Sequence, residues 1–493
     1  MRMSLRERPG PGVPKGAFIL LLVITMSIVP YLALGVQAAG TSIDSNYLGT
    51  APGRFNSIKC GDTSGDGTNN LVFANTEGYL SVIRYASGAF VSDYHADMKA
   101  DRLWGVTIGD VDQDGHNEII IGGQAGKGGE GLLEVLDGKT YKVKWRAVGE
   151  VPSVDPTKEQ NFVRDLHGMA LGDPDMDGQT ELVVGGGFKT DTPWGSVYIF
   201  NGKTDKLEAV IGPQDSRIRG VAIADIDEDG RQEIIFGSGV ALGERPGEGY
   251  IRVFGYNNQT KQYEEKWQSP DMNGDVEGLT VTDVDNDGHL EIVATAGYRY
   301  REGYAYIIRH LPEGTGGVGK PQSYKIVWQS DDIGPKPYGF DVADVDDDGV
   351  KEIITGNQPG YMWMFDGTTH QVKWKSQLLG TDVFGITHCD INKDGQMEFI
   401  AGQGGYIGKA DWTSGYSTPH IYIFDGRTRT LVATLGSVDY LQTAFQVATV
   451  VLVIITLVNL NWYIKRRKNA KAKAKGESAG DYVDKVSRRR GVR

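Results

Sequence analysis

Asp283-Val284-Asp285-Asn286-Asp287-Gly288-His289-Leu290-Glu291 sets carboxylates at positions 1, 3, 5 and 9 of a nine-residue stretch and a glycine at position 6. Alternating carboxylates converge on one point when the backbone curls, and glycine at the sixth place admits the positive φ of a sharp bend. Such a loop predicts a hard, oxygen-liganded cation, with calcium the best fit. The pattern recurs as Asp110, Asp112, Asp114, Gly115 and Glu118; as Asp173, Asp175, Asp177, Gly178 and Glu181; and as Asp225, Asp227, Asp229, Gly230 and Glu233. It recurs again as Asp344, Asp346, Asp348, Gly349 and Glu352 and, slightly altered, as Asp390, Asn392, Asp394, Gly395 and Glu398. A seventh copy is degenerate: Asp62, Ser64, Asp66 and Gly67 are followed by Asn70 where the closing acid belongs. An EF-hand would close at position 12 and lie between helices. Here the acid is at 9 and the flanks are short branched-apolar runs such as 219–224 and 233–237, so each loop joins two strands.

The copies begin at residues 62, 110, 173, 225, 283, 344 and 390, and a period of about 55 residues signals a repeat architecture. Every unit has the same parts. A first strand carries a glycine five residues before the loop (Gly105, Gly168, Gly220, Gly278, Gly339, Gly385; Ser57 in the first copy), and a second strand follows the loop. A third strand ends in Asn201-Gly202, Asp366-Gly367 or Asp425-Gly426, dipeptides that favour tight hairpins. A fourth strand often holds a tryptophan (Trp145, Trp267, Trp328, Trp374), expected to pack between sheets. Four antiparallel strands, seven times over, predict an all-β, seven-bladed β-propeller across residues 54–435.

These units resemble the FG-GAP repeats of the integrin α-subunit propeller and of related bacterial and archaeal surface proteins. The resemblance implies calcium at about six of the loops, on the carboxylates named above and Asn392, with Asp62 and Asp66 in the copy that departs most. It also implies a part in ligand recognition or cell-surface adhesion. That family often has Asp at position 9, where this chain uses Glu. No inserted adhesion domain or long leg region is present, so heterodimer formation is not implied. Thr430–Leu435 matches the fourth strand Lys206–Ile211, so the last blade is expected to complete itself without borrowing an N-terminal strand.

The ends are different in kind. Residues 1–39 read as a secretory signal, or an uncleaved anchor: a basic start, an apolar run to about Leu34, then small residues around Ala38 and Ala39. Residues 444–464 form a mostly apolar run long enough to span a bilayer as a helix, followed by Lys465-Arg466-Arg467-Lys468. The positive-inside rule places the basic tail, 465–493, in the cytoplasm and the propeller outside, which makes a single-pass cell-membrane protein. The formal net charge is −13 despite that basic tail, so the middle is strongly acidic. This excludes nucleic acid as a partner, since phosphate binding needs a basic face.

With the loops on one rim, the second-to-third-strand loops and the blade connections fall on the other, the expected binding face for a surface protein or glycan. It carries Phe162, Phe188, Trp194, Tyr298, Tyr300, Tyr304, Tyr406, Trp412 and Tyr416, with Arg164, Arg217, Arg245 and Arg299. The residue before each first-strand glycine should lie near the mouth of the central channel, where the repeats disagree: Asn56, Trp104, His167, Arg219, Glu277, Tyr338 and Phe384. His167, Arg219 and Glu277 on neighbouring blades could hold an anionic sugar or carry acid–base chemistry, which keeps a polysaccharide-processing enzyme open as the competing class. No G-x-S-x-G nucleophile elbow and no zinc spacing of histidines occur. The only cysteines, Cys60 and Cys389, lie two residues and one residue before a loop's first acid in the first and last blades. A closed ring makes those blades neighbours, so the pair reads either as a disulfide staple at the seam or as two free thiols.

Overall fold

Seven antiparallel sheets of four consecutive strands follow one another along the chain, as seen in a computed structural model. The structure describes residues 55–436, apart from 126–128, 152–159, 163, 188–194, 215, 240–247, 299–300, 312–323, 381 and 405–418, together with 456 and 459–471. The chain divides into two units, Met1–Ser437 and Val438–Arg493. In the second unit residues 459–471 are helical. Among the described residues no helix is long and apolar enough to cross a membrane. Most of the run 444–464, like the stretch 1–39, lies outside them.

The first unit is the seven-bladed propeller. The blades open with strands Phe55–Gly61, Arg102–Gly109, Leu166–Gly172, Arg217–Ala224, Asp275–Thr282, Gly339–Ala343 and Val383–Cys389. Blade 7 ends in its own fourth strand, Leu431–Gly436, so no strand is exchanged at closure. Second strands such as Glu233–Gly239 are buried along their whole length, because neighbouring blades cover both faces. That is why they read as unbroken apolar runs rather than as an alternation. The fourth-strand tryptophans fill the wedges between blades: Trp145 meets Phe200 edge-on at 5.4 Å, Trp328 meets Phe365 at 5.4 Å, and Trp374 meets Phe424 at 5.6 Å.

The first-strand glycine is a matter of space. A Cβ on Gly105 would stand 2.1 Å from the carbonyl oxygen of His167 in the next blade, and one on Gly168 would stand 2.4 Å from that of Arg219. First strands thus converge toward the axis, and only the residue without a side chain permits it. At the seam between blades 1 and 7, Cys60 and Cys389 are joined by a disulfide with a Cα separation of 6.0 Å. Around it Ile58, Leu71 and Phe73 share one core with Ile391, Ile400 and Ile421, and the Cys60 amide donates to Thr387 Oγ1 at 3.1 Å.

Two irregularities recur around the ring. First strands carry one extra residue, a bulge, at Asn56, Trp104, Arg219, Glu277 and Phe384 and within the His167–Gly168 pair; Tyr338 immediately precedes its strand. Fourth strands carry one at Asp93, Lys144, Glu208, Lys266, Val327, Lys373 and Val432. A bulged residue is released from the ladder and its side chain is re-aimed. Trp104, His167, Arg219, Glu277 and Phe384 of the first set line the channel, and Lys144, Lys266 and Lys373 of the second reach the acidic loops.

Candidate functional site

The acidic loops are pre-formed by their own backbone. Asp283 accepts the amides of Asp287 and Gly288 at 3.1 and 3.0 Å, and Asp110 accepts those of Asp114 and Gly115 at 3.0 and 2.9 Å. Position 6 has the positive φ expected of its glycine, 92° at Gly288 and 87° at Gly115. Position 4 is left-handed as well, at Gln113, Met176, Glu228, Asn286, Asp347 and Lys393, a feature that no residue preference announced. The closing glutamate is the first residue of the second strand and is almost wholly buried in every complete copy. One of its oxygens accepts the amide of position 2: Val111 to Glu118 at 3.0 Å, Ile226 to Glu233 at 3.2 Å, Val284 to Glu291 at 3.1 Å, Val345 to Glu352 at 3.0 Å and Ile391 to Glu398 at 3.0 Å.

In blades 2 to 6, three acids of each loop bring one oxygen apiece within 4.8 Å of one another. Oxygen-only, carboxylate-rich sets of that size fit a calcium-like ion. The first copy does not make such a group. Thr63 Oγ1 donates to Asn70 Oδ1 at 3.0 Å, and Asn70 Nδ2 donates to Asp93, which is paired to Arg84 at 2.8 Å. In the seventh, Asn392 Nδ2 bridges Asp394 at 3.1 Å and Glu398 at 2.8 Å.

A protein cation already lies among the acids of four blades. Lys144 Nζ is 2.5 Å from Asp112 and 3.0 Å from both Asp114 and Glu118. Lys266 is 2.8 Å from Asp227 and 2.6 Å from Glu233, and Lys373 is 2.9 Å from Asp346 and 2.6 Å from Glu352. In blade 5 the bulge holds Val327, and Arg309 of the third strand fills the place, 3.0 Å from Glu291 and paired with Asp285. The loop of blade 6 meets a second cation, Arg429 from the turn between the third and fourth strands of blade 7, paired with Asp346. Sequence reasoning missed these groups; the Lys-Trp dipeptides 144–145, 266–267 and 373–374 were the available signal.

Blade 3 is the exception. Its bulge holds Glu208, and neither oxygen of fully buried Glu181 has a hydrogen-bond partner. Position 2 is Pro174, which has no N–H to give to one oxygen, and the bulge that could bring a cation to the other holds Glu208. Burial first, then the charges of Asp175 and Glu208, push the Glu181 carboxyl up to about 9.

At the channel, Trp104, His167, Arg219, Glu277, Tyr338 and Phe384 line one cavity of about 190 Å³; the side chain of Asn56 lies outside the described set. The cluster differs from a set of free acid and base groups. Glu277 is 2.7 Å from Arg219 and 3.7 Å from the ammonium of Lys336, and its side chain is 2% exposed. Arg217, read from the sequence as a rim contact, is instead inside this network, 3.2 Å from Asp275. Trp104 Nε1 donates to buried Asp165 at 3.0 Å. Three cations and three carboxylates thus face one another, with Arg102 also acting on Asp165 and Lys59 lining the cavity. His167 is held well below the ordinary imidazole range by burial and then by the two guanidiniums, so it is neutral. Burial likewise brings Lys336 down to about 8. Aromatic faces complete the mouth, with Tyr338 stacked on Phe384 at 4.3 Å and Trp104 against His167 at 4.9 Å.

On the rim away from the acidic loops, Phe162 is a correction: it is buried, edge-on to Tyr198 at 5.1 Å, and belongs to the core. Tyr298, Tyr304 and Arg164 are partly exposed. Phe188, Trp194, Arg245, Arg299, Tyr300, Tyr406, Trp412 and Tyr416 lie outside the described residues.

Residues 33–246 match the family model of the lambda-carrageenase β-propeller domain. Similar chains include integrin alpha-8 of Homo sapiens, 28% identical over 190 residues that are 35% of this chain and 16% of that one. Integrin alpha-V of Gallus gallus is 27% identical over 186 residues, 36% of this chain and 17% of the other. Integrin alpha-8 of Gallus gallus is 26% identical over 240 residues, 41% and 21% respectively. The chain therefore spans about a fifth or less of the length of these relatives.

Proposed function

We propose that this chain, whose propeller is integrin-like, is a recognition module displayed outside the cell, held to the membrane by the run 444–464, with its acidic rim loaded with calcium and its opposite rim and channel mouth turned to a surface protein or glycan. The observation that carries binding over catalysis is the pairing of Glu277 with Arg219 at 2.7 Å. A general acid or base must be free to exchange a proton with substrate, and this carboxylate is paired with Arg219 through one oxygen, with the Lys336 ammonium 3.7 Å from the other. The stacked Tyr338 and Phe384 beside it suit contact rather than turnover, since aromatic faces dominate binding hot spots. The cavity is also smaller than the roughly 300–1,000 Å³ of ordinary small-molecule sites, so a ligand would enter with one projecting group only.

A polysaccharide-processing enzyme is the second reading, favoured by the family-model match over residues 33–246. Both are tested by presenting glycans and surface proteins to the full chain with and without calcium, beside a polysaccharide turnover assay. Binding that weakens in Tyr338→Ala with no turnover supports the recognition module. Calcium-dependent cleavage that is lost in His167→Ala establishes the enzyme instead.

A further inference from the structure

The acidic loops share one sequence pattern and differ in what balances their charge. In blades 2, 4, 5 and 6 a cation from the third or fourth strand occupies the space between the carboxylates, as Lys144 does within 3.0 Å of three of them. An incoming ion must displace it and break those pairs. In blade 3, among the described residues, no Lys or Arg forms an ion pair with Asp173, Asp175, Asp177 or Glu181. The bulge that in blades 2, 4 and 6 supplies lysine there supplies Glu208, which adds its charge to theirs. Glu181 also differs from every other closing acid. It is fully buried, one of its oxygens lies within 4.8 Å of oxygens of Asp173 and Asp175, and both its oxygens are without a partner, one because Pro174 has no N–H and the other because no lysine or arginine takes the place that Lys144 holds in blade 2. A buried carboxyl group lacking any hydrogen bond is costly to ionise unless a cation from outside the chain satisfies it. With both oxygens free it is the one closing acid in the ring able to grip an ion with two oxygens at once, as the last glutamate of an EF-hand does.

We propose that the loop of blade 3, with Glu208 standing over it, is the ring's highest-affinity divalent-cation site, and that Lys144, Lys266, Arg309 and Lys373 are built-in counter-cations that make the loops of blades 2, 4, 5 and 6 weaker, displaceable sites. The proposal goes beyond the recognition reading and holds whatever the opposite rim binds.

Calcium titration calorimetry on the full chain, and terbium luminescence sensitised by Tyr256 and Tyr263, test it. The phenols of these two tyrosines feel the charge of Asp175 and Glu208. The wild type should take up one ion well before the rest, with tyrosine-sensitised emission rising in that first step. Glu181→Gln should remove the step. Pro174→Ala, which returns an N–H for Glu181 to accept, should weaken it about tenfold, and Glu208→Gln should weaken it by a similar factor. Lys144→Met should convert blade 2 into an additional tight site. Circular dichroism reports whether each variant folds, and if Glu181→Gln does not, Pro174→Ala and Lys144→Met decide alone. A first step untouched by Pro174→Ala, or a Lys144→Met isotherm identical to wild type, overturns the proposal.

Discussion

Replacing Cys60 and Cys389 together by alanine removes the one covalent link across the ring's seam. The non-covalent seam survives in the variant: Cys60 N to Thr387, Asn69 Nδ2 to the Asp390 carbonyl at 2.9 Å, Lys393 to Thr68 at 2.9 Å and the shared core around Ile58 and Ile391. The loss therefore falls mainly on the unfolded chain, which the bond closes into a loop with a sequence separation of 329. For a loop of that length the chain-entropy model gives about 6 kcal/mol, an upper bound because residual structure in the unfolded chain reduces it. Spread over an unfolding entropy of about 2.1 cal/mol/K for each of roughly 380 residues, that becomes a fall in melting temperature of about 7 °C at most. Differential scanning calorimetry of unreduced wild type against the double variant measures it, and hydrogen exchange shows where protection is lost. A fall below about 1 °C refutes the idea that the bond constrains the unfolded chain, and one well above 10 °C means that the native seam itself opens. Either result would contradict the reasoning.

Other expectations follow from the charges. Chelation with EDTA should lower the melting temperature, because ion at about a hundred times its Kd contributes about 2.7 kcal/mol per site; thermal scans with added calcium measure the recovery. Arg219→Met leaves buried Glu277 with only the looser 3.7 Å contact to Lys336 and should cost about 3 kcal/mol in urea unfolding, whereas Arg219→Met combined with Glu277→Met should recover most of it. His388 is opposed by burial, but its 2.7 Å hydrogen bond to Asp341 and that carboxylate's charge overcome the penalty and leave its pKa raised. A raised imidazole stabilises fully below its unfolded value, and that stability is lost as pH climbs through the folded value. The wild type should thus lose stability, relative to His388→Gln, as the pH rises from about 6 to 8 in denaturant titrations.

The blade count, the strand–loop–strand units and the self-completing last blade were legible because glycine, Asx-Gly and alternating acid spacings are local signals. The tryptophans were legible because so large an apolar group on an edge strand has only the neighbouring blade to pack on. What the sequence hid is non-local. A bulge adds one residue and reverses which face each later side chain takes, so counting along the fourth strand does not place Lys144 or Glu208 over a loop more than twenty residues away. The one-residue offset between Cys60 and Cys389 misleads in the same way, since the two strands adjoin across the seam without sharing a ladder, and ladder register does not govern them. Asp275 and Lys336 were invisible as companions of Glu277, because only ring closure and a left-handed turn at Lys336 bring their charges to the axis. Phe162 looked like a loop aromatic because nothing local records that its neighbours fold over it.

The paired bulges give six of the seven blades two residues that belong to no ladder. A ladder residue is tied to two strands and to the blade beside them, whereas a bulged one is tied through its side-chain contacts alone. One bulge sets what the axis of the ring meets, and the other sets the charge offered to an ion at the far rim. Ligand preference and ion preference are therefore set by separate residues at separate ends of the blade, both outside the ladders that define the sheet.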